Sequence, residues 1–394
     1  MKVALVHELL TMKGGAERVL RVLTEMFPDA PIYTLLYDEK KLGDWFPKER
    51  VSTSNLQPAT CNPFPWKYNH HIHLSQFPQA VESWDFSEFD LVISSSSAFV
   101  HNIITNGKPK HLSFVNSPAR YLWDRTHDVL EQAGKGVLGP VKRAYLERVF
   151  HKLRLWDAES AARADRIIVS SKEVQRRVEL YWRRESTVVY PPTDDFWMNQ
   201  PHIVQRKLEI RPQMQHPDYF LVVSTLAAYK RIELAIEACN RLGVHLKIVG
   251  EGPDRKRLER LASRLPTPDS RSPHSPLIEF YGYRRGDELA DLYAGAKATI
   301  VPGDEDFNLV ALESMACGTP VIAFAAGGPL ETIIEGKTGE FFREPTAESL
   351  QEILEKYDQK KYSSEDCRAQ AKGFSKAQFT QNIEREIATV MAKP

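Results

Sequence analysis

The sequence has few cysteines, and no two of them lie close together in the chain. Its 394 residues include four cysteines, Cys61, Cys239, Cys317 and Cys367, which lie far apart and form no CxxC pair. This spacing argues against a disulfide framework and a zinc site, and it fits a reducing compartment. No apolar run approaches the roughly 20 residues that a membrane-spanning helix needs. The opening MKVALVHELL is typical of a strand rather than of a signal peptide. We therefore expect a cytoplasmic protein, free or at the inner face of a membrane.

A net charge of one sign is missing as well. Lysines and arginines total 52, as do aspartates and glutamates, so the total charge indicates no nucleic-acid partner. Residues 1–190 carry 26 basic against 22 acidic side chains, whereas the remainder carries a surplus of acids. The mildly basic first half either marks an interaction surface or reflects ordinary variation in composition.

Short apolar, β-branched runs alternate with amphipathic helical patterns along the whole chain. Strands this apolar are buried on both faces, which is typical of parallel sheets covered by helices. The pattern predicts an α/β protein with two doubly wound, Rossmann-like domains facing a central cleft, and ligands at the carboxyl ends of the strands. The expected strands are 2–7, 90–96, 111–116, 166–171, 187–192, 219–225, 246–252, 278–283, 298–303 and 320–324.

A proline-rich, aperiodic stretch at 190–219 predicts the join between the two domains. We expect a first domain over 1–195 and a second over 196–374. A last helix over 375–394 is expected to pack back on the first domain. A second irregular stretch, 264–276, predicts a surface loop within the second domain.

Two strand–helix junctions carry residues suited to anions. In HELLTMKGGAERVL, Gly14 and Gly15 follow a strand and precede a helix expected to begin at Ala16, where backbone N–H groups favour an anion. In STLAAYKRIELAIEA, Lys230 and Arg231 lie between a strand and a helix, where a phosphate would offset their charge. A plain tight turn and ordinary surface charge are the alternative explanations.

Three further segments place polar groups at strand ends. VGEGPDRK puts Glu251 in a Gly-Pro turn, and FYGYRRG leaves the backbone of Tyr283 and Arg284 free to bind a flat base edge. In EDFNLVALESMACGTP, Glu305 lies in a loop and Glu313 in the following helix, and two such carboxylates can accept hydrogen bonds from two sugar rings. Plain turns remain the alternative for the first two segments, and a divalent cation at the DED triplet for the third.

The order of these motifs resembles the retaining family-four glycosyltransferases of the GT-B fold over essentially the whole chain. The E-x7-E pair followed by ACGTP is the most specific part of the resemblance. GGAERVL, FPDAPIYTL, DLVISSSSA and NSPARYLWD are similar to the mannosyltransferase-like branch that builds bacterial O-antigens and exopolysaccharides. The resemblance implies a hexosyltransferase that needs no metal or other cofactor. It also implies a nucleotide-sugar donor, GDP-mannose ahead of a UDP-hexose, and a glycan or lipid-linked acceptor.

The resemblance also implies roles for individual residues. Lys230 would neutralise the departing diphosphate, Glu305 would bind hydroxyls of the donor sugar, and Glu313 would bind the ribose. Attack would come from the front face, with the phosphate helping to deprotonate the acceptor, so no protein nucleophile is implied. The implied catalytic residues are Lys230, Glu305 and Asn116. The implied donor-binding residues are Gly14, Gly15, Arg231, Glu251, Tyr283, Arg284, Phe307, Asn308, Leu309 and Glu313, and His7 and Arg120 lie on the acceptor side.

Two positions depart from the family pattern. Relatives often carry His where this chain has Asn116, and an amide cannot shuttle a proton. Relatives also read Gly-Arg-Leu where this chain has Ser-Thr-Leu at 224–226, which removes a cation that Arg231 or Arg120 would replace. These departures keep open a sugar-nucleotide-binding protein of the same fold without catalysis. A sugar-nucleotide epimerase is disfavoured by the E-x7-E pair.

Two features lie outside these motifs. The segment 135–156 interleaves seven basic or histidine positions with apolar residues at helical spacing. A basic amphipathic helix suits an anionic membrane surface, and an ordinary helix with one solvated face is the alternative. The HHIH run at 70–73 has no matching carboxylate or cysteine, so it predicts a polar loop rather than a metal site.

Overall fold

The computed structural model describes residues 1–57, 70–198, 218–264 and 277–392. They belong to two units: unit 1 comprises Met1–Tyr190 with Phe379–Pro394, and unit 2 comprises Pro191–Gln378. Each unit is built on one parallel sheet with helices packed against it. The predicted fold class, two Rossmann-like α/β domains, is therefore confirmed.

Unit 1 contains a seven-stranded sheet in the order β3-β2-β1-β4-β5-β6-β7. The strand order reverses between β1 and β4, and parallel sheets bind ligands at the carboxyl ends of strands beside such a reversal. His7 and Ser95 are paired across these two strands. The strands are β1 (Val3–Leu10), β2 (Ile32–Tyr37), β3 (Val51–Thr53), β4 (Leu91–Ser96), β5 (Lys110–Val115), β6 (Arg166–Val169) and β7 (Thr187–Val188).

Helices cover both faces of this sheet. Successive strand residues point to opposite sides, so apolar residues on each side need a helix to pack against. Leu5 joins an apolar cluster with the buried face of α1, whereas Val6 joins a second cluster with α3 and α5. The helices of the first part of the chain are α1 (Gly15–Met26), α2 (Glu39–Leu42), α3 (Phe77–Glu82), α4 (Thr126–Ala133), α5 (Gly139–Ser160) and α6 (Lys172–Trp182).

Unit 2 contains a six-stranded sheet in the order β10-β9-β8-β11-β12-β13, so its order reverses between β8 and β11. The strands are β8 (Tyr219–Val223), β9 (His245–Val249), β10 (Ile278–Gly282), β11 (Thr299–Val301), β12 (Val321–Phe324) and β13 (Gly339–Phe342). The helices are α7 (Asp195–Met198), α8 (Ile232–Leu242), α9 (Arg255–Arg264), α10 (Gly286–Gly295), α11 (Leu309–Ala316), α12 (Pro329–Thr332), α13 (Ala347–Lys356) and α14 (Ser364–Lys372).

The last helix, α15 (Lys376–Met391), supplies apolar side chains to the core of unit 1. Phe379, Ile383, Ile387 and Val390 recur at intervals of four, four and three, which places them on one helix face. The Phe379 ring lies 5.8 Å from the ring of Phe114 on β5. The chain therefore returns to its first unit after completing its second.

The strand predictions need three additions. β2, β3 and β13 were not expected from the sequence, although the IYTLLY run of β2 carries a clear apolar signal. The expected strand 187–192 is shortened to Thr187–Val188, because Pro191 and Pro192 have no N–H group to donate to a neighbouring strand. Helix α1 begins at Gly15 rather than at Ala16.

Several expected features fall partly outside the described residues. Of the join at 190–219 and the loop at 264–276, the segments 199–217 and 265–276 lie outside them. The histidine run opens a short 3₁₀ turn, His70–Gln76, in which His73 Nδ1 lies 3.0 Å from the Gln76 side-chain oxygen. Within the described ranges, no group of three or more His, Cys, Asp or Glu could hold a metal ion. In the same ranges, no helix has the length and apolar character needed to cross a membrane.

Candidate functional site

Lys230 and Glu305 form an ion pair where the strand order of unit 2 reverses. Lys230 ends a 3₁₀ turn, Ala228–Lys230, that follows β8, and Glu305 lies in the loop after β11. Lys230 Nζ lies 2.7 Å from Glu305 Oε1 and 2.5 Å from Oε2, so one ammonium group contacts both carboxylate oxygens. Each side chain is 17% exposed. The two sequence-predicted charges are thus brought together and partly withdrawn from water.

The ion pair keeps Lys230 protonated. Burial acts to lower the pKa of Lys230, but Glu305, together with Tyr229 and Asp306, outweighs it and raises the pKa above its usual value. A positive charge is therefore present at this strand end across the neutral pH range.

A glycine pair holds the loop that carries Glu305. Gly328 N donates to the Glu305 carbonyl oxygen at 2.8 Å. Gly327 has φ +63°, and a Cβ on it would lie 2.1 Å from that same oxygen. The approach leaves room only for glycine, which also tolerates the left-handed backbone. These glycines were not among the predicted site residues, although the AAGGP sequence after β12 carries the signal.

The loops after β8 and β9 are joined through their backbones. Leu226 N donates to the Glu251 carbonyl oxygen at 2.9 Å, and Asp254 N donates to the Leu226 carbonyl oxygen at 2.9 Å. The side chain of Glu251 is ion-paired with Arg255 on α9. Arg231 has φ +52°, and its guanidinium lies 5.9 Å from the ring centroid of Phe324. Glu251 therefore accepts a hydrogen bond at its backbone, while its side chain contacts the helix that follows it, α9.

The segment expected to bind a base edge lies at the end of β10. Tyr283 is exposed, and Arg284 Nη1 donates to the Tyr283 carbonyl oxygen at 3.0 Å. Arg284 also lies 3.5 Å from Glu288 on α10. Gly282 has φ +65°, and a Cβ there would lie 2.9 Å from a Glu251 carboxylate oxygen. The ends of β9 and β10 are thus adjacent.

Glu313 lies in a different environment from Glu305. It sits in the second turn of α11, is 3% exposed, and accepts a hydrogen bond from Tyr293 Oη at 2.9 Å. Asn308 caps the helix: its side-chain oxygen accepts from Ala311 N at 3.0 Å, and its φ of +76° is unusual outside glycine. A strained cap therefore separates the two glutamates.

Two neighbours of this cap were also predicted as donor-binding residues. Phe307 is buried with its ring centroid 5.8 Å from that of Phe374, and Leu309 opens the helix half-buried. Phe307 packs in the apolar interior, and its backbone forms the end of the loop after β11.

In unit 1, the glycine loop is occupied by a carboxylate that the sequence analysis missed. Gly14 N donates to Glu17 Oε2 at 2.9 Å, and the other Glu17 oxygen lies 3.6 Å from Nε2 of the buried His7. Gly15 is the first residue of α1. Glu17 therefore places a negative charge at the helix amino terminus, where a diphosphate at Gly14 and Gly15 would have to displace it or meet its repulsion. The T-M-K-G-G-A-E spacing carries the signal, because Glu at the third helical position caps the preceding backbone.

Asn116 and Arg120 follow β5 and have partners within unit 1. Asn116 Nδ2 donates to Ser95 Oγ at 3.1 Å, and Ser170 Oγ donates to the Asn116 carbonyl oxygen at 2.8 Å. Arg120 Nε donates to Asp124 at 2.9 Å. Asn116 thus lies where β4, β5 and β6 end, and Arg120 is paired with Asp124, four residues later in the chain.

Glu8 is a further residue that sequence reasoning missed. It is buried at the carboxyl end of β1 and accepts backbone hydrogen bonds from Ser97 at 2.8 Å, from Val100 at 3.2 Å and from Phe99. One carboxylate thereby fixes the serine-rich loop after β4. The feature of the sequence that could have indicated this role is a charged residue, Glu8, within the apolar run of β1.

Comparisons with known proteins find a family similarity in the second half of the chain. Residues 206–374 match the family described as "Glycosyl transferases group 1". This group 1 segment contains Lys230, Glu305 and Glu313, and it does not reach the candidate residues of unit 1.

Two curated relatives resemble the chain over shorter stretches. Sulfoquinovosyl transferase SQD2 of Arabidopsis thaliana is 32% identical over 149 residues, covering 36% of this chain and 27% of that protein. A GDP-mannose-dependent alpha-mannosyltransferase of Corynebacterium glutamicum is 34% identical over 118 residues, covering 30% of this chain and 25% of that protein. The chain spans about a quarter of the length of these two relatives, and about half or less of others that it matches.

Solved structures extend the likeness to both units. The structure of Anabaena Alr3699/HepE in complex with UDP has a TM-score of 0.71 and 17% sequence identity, covering 99% of this chain and 100% of that one. Identity this low shows the fold alone. The fold is that of the GT-B glycosyltransferases, with two Rossmann-like domains.

Proposed function

We propose that this protein is a glycosyltransferase that moves a hexose from a nucleotide-sugar to a glycan or lipid-linked acceptor, with retention at the anomeric carbon and without a metal ion. The donor is bound by unit 2, with Lys230 at the diphosphate, Glu305 at the sugar and Glu313 at the ribose. Gly14, Gly15, His7, Asn116 and Arg120 are proposed to serve the donor phosphates and the acceptor from unit 1.

The observation that carries the proposal is the Lys230–Glu305 ion pair within the group 1 segment. A protonated lysine and a carboxylate are the two charges that a nucleotide-sugar requires, one for its diphosphate and one for its hydroxyls. Both lie at the carboxyl ends of the strands that flank the sheet reversal, where α/β sheets bind ligands.

The chemistry that these residues support is departure of a diphosphate. When the bond between the anomeric carbon and the phosphate oxygen breaks, negative charge grows on that oxygen. A cation held beside it stabilises the transition state more than the bound donor, which raises the rate of the chemical step. Lys230 exchanges part of its contact with Glu305 for the phosphate oxygens, and the Glu305 carboxylate becomes available to accept from sugar hydroxyls.

GDP-mannose is the first choice of donor, and a UDP-hexose is the second. The support for GDP-mannose is the mannosyltransferase-like motifs and the GDP-mannose-dependent relative, and the support for UDP is the UDP complex of the Anabaena neighbour. The proposed base contact at Tyr283 and Arg284 uses the backbone, so it leaves the choice of base to other groups.

Binding of a nucleotide-sugar panel, followed by thermal shift, tests the proposal. A donor present at a hundredfold excess over its dissociation constant adds about 2.7 kcal/mol of stability. For a unit of this size, that stability raises the melting temperature by roughly 5–11 °C. We expect one donor to give such a shift in the wild type, with or without EDTA, and a much smaller shift in Glu313→Gln. Glu335→Gln, an exposed carboxylate paired with Arg343, is the matched control.

Three outcomes contradict parts of the proposal. If no nucleotide-sugar stabilises the wild type, the donor site is wrong. If EDTA abolishes the shift in melting temperature, the proposal that the donor binds without a metal ion is wrong. If a donor binds but no hexose reaches any acceptor and no donor is hydrolysed, the chain is a sugar-nucleotide-binding protein. Asn116 in place of His and Ser-Thr-Leu at 224–226 favour this second candidate.

A further inference from the structure

The turn between α4 and α5 and the first turns of α5 stand away from the core of unit 1. We call residues 134–148 the α5 tip. From Pro140 to Tyr145 every residue is exposed, Leu146 is half-buried, and the buried face of the helix begins only at Val149 and Phe150. A helix segment with this many consecutive exposed residues is ordinarily polar all round.

The α5 tip is not polar all round. Val137 is 98% exposed, Leu138 is 76%, Val141 is 71% and Tyr145 is 55%. Leu138, Val141 and Tyr145 are three and four positions apart, so they share one helix face. Of thirteen large apolar side chains exposed among the described residues, four lie between 137 and 145. Single exposed apolar residues are normal, but a cluster at a protruding end marks an interaction site.

Basic side chains surround this apolar face. Lys135, Lys142, Arg143 and Arg148 lie between 135 and 148, where Glu147 is the one acidic residue of the sequence. Glu147 is exposed and accepts from Arg143 Nε at 2.9 Å. The tip therefore carries a net charge of +3 in addition to its apolar face.

A close turn leads into the helix of the tip, and the other end of α5 is anchored in unit 1. Gly139 is buried, and a Cβ on it would lie 2.0 Å from the Gly134 carbonyl oxygen, so the chain makes a close turn before the helix. Farther along α5, Asp157 accepts hydrogen bonds from Trp123 Nε1 at 2.9 Å and from Trp182 Nε1 at 2.8 Å. Anchoring at one end presents the other end in a fixed orientation.

We propose that the α5 tip docks on an anionic lipid surface. Leu138, Val141 and Tyr145 enter the boundary between headgroups and acyl chains, and Lys135, Lys142 and Arg143 contact the lipid phosphates. A protein partner would need complementary acids and a larger apolar area than three or four side chains provide. An anionic membrane supplies both the charge and an apolar interior. The inference goes beyond the proposed function and does not require it.

Vesicle flotation of the full chain tests this surface. Phosphatidylcholine vesicles are compared with vesicles of phosphatidylcholine and phosphatidylglycerol. Each lysine or arginine near an anionic surface changes the partition coefficient about fivefold, so Lys135→Gln/Lys142→Gln/Arg143→Gln should lower it by roughly a hundredfold. Leu138→Ser/Val141→Ser should lower it by at least about tenfold.

Matched controls separate the tip from the rest of the surface. Lys40→Gln/Lys41→Gln/Lys48→Gln removes the same charge from exposed positions around α2. Leu155→Ser and Leu180→Ser remove leucines that are 54% and 45% exposed outside the tip. We expect these controls to bind anionic vesicles as the wild type does.

Four results would overturn the proposal: no binding of the wild type to anionic vesicles, equal binding to phosphatidylcholine alone, an equal loss in the charge control, or a lipid-free dimer that Leu138→Ser/Val141→Ser dissociates. The last result would make the tip a contact between copies. Thermal shift by the donor, measured without lipid, should be unchanged in every tip variant, so failure here and failure of the proposed function are distinguishable.

Discussion

Lys230→Gln is the substitution that most directly tests the proposed chemistry. It removes one positive charge and keeps an N–H donor within reach of Glu305. In the wild type, the ammonium lies 2.7 and 2.5 Å from the two carboxylate oxygens, and both side chains are largely buried. Loss of one preorganised electrostatic contact with a developing charge costs about 2.7–4 kcal/mol in the transition state, or roughly 10²–10³ in kcat.

The same substitution should change KM and stability far less. The donor diphosphate is already charged when it binds, so part of the loss should appear in KM. The larger part comes from the additional charge of departure, which Lys230 stabilises only in the transition state, and it should appear in kcat. Breaking a fully buried ion pair costs about 3–5 kcal/mol. Because Gln still donates to Glu305 and the pair is partly exposed, we expect about 1 kcal/mol or less and a fall in melting temperature of a few degrees.

Steady-state kinetics with the donor identified by thermal shift supply the assay. Lys337→Gln, which removes an exposed cation of unit 2 that lies 3.1 Å from Asp366, is the control for charge. Lys230→Arg should recover part of the loss because the charge is restored in a different shape. The reasoning is refuted if Lys230→Gln turns over within about threefold of the wild type, or if Lys337→Gln is equally impaired.

Three further predictions concern stability. In urea denaturation, Gly327→Ala should destabilise unit 2 by more than Gly336→Ala. Both glycines have positive φ, but an added Cβ would lie 2.1 Å from a carbonyl oxygen at Gly327 and would have no atom within 4 Å at Gly336. Equal losses of stability would contradict the loop contact. Tyr293→Phe should cost about 1–3 kcal/mol because the buried Glu313 loses a donor, and an unchanged melting temperature would contradict this. Burial lowers the pKa of His111 to about 3, so between about pH 3 and 6.5 the unfolded chain binds a proton at this residue that the folded chain does not, and the free energy of unfolding should rise with pH. His111→Gln should flatten this dependence by up to roughly 1.4 kcal/mol per pH unit. An unchanged pH dependence of the urea midpoint in this variant would refute the assignment.

The sequence predicts ten of the thirteen strands among the described residues, including the edge strands β7 and β10, and misses β2 and the edge strands β3 and β13. A central strand such as β4 is buried on both faces and therefore reads as an apolar run. β3 has three residues with two exposed, and β13 begins with glycine, so neither carries such a run. Edge strands gain order mainly from their neighbour, which is tertiary information.

Residues of the candidate site were predictable where the chemistry lies in the side chain itself. Lys230 and Glu305 stand out as charges at strand ends, and the structure pairs them. Glu17 and Glu8 act instead on backbone N–H groups, at Gly14 and in the loop after β4, respectively. Contacts of this kind depend on which loops meet, and the spacing of residues in one loop does not reveal them.

The E-x7-E spacing is explained by the helix cap that lies within it. A pair eight positions apart on one continuous helix would lie little more than two turns apart on the same side. Here Asn308, with φ +76°, caps α11 between the two glutamates, so Glu305 lies in the preceding loop while Glu313 lies in the helix. The loop position lets Glu305 reach the lysine after β8, and the helix position buries Glu313 beneath the hydroxyl of Tyr293. The spacing therefore provides one carboxylate in a loop, paired with Lys230, and one buried within a helix, so the two glutamates that we propose to bind the sugar and the ribose lie in different environments.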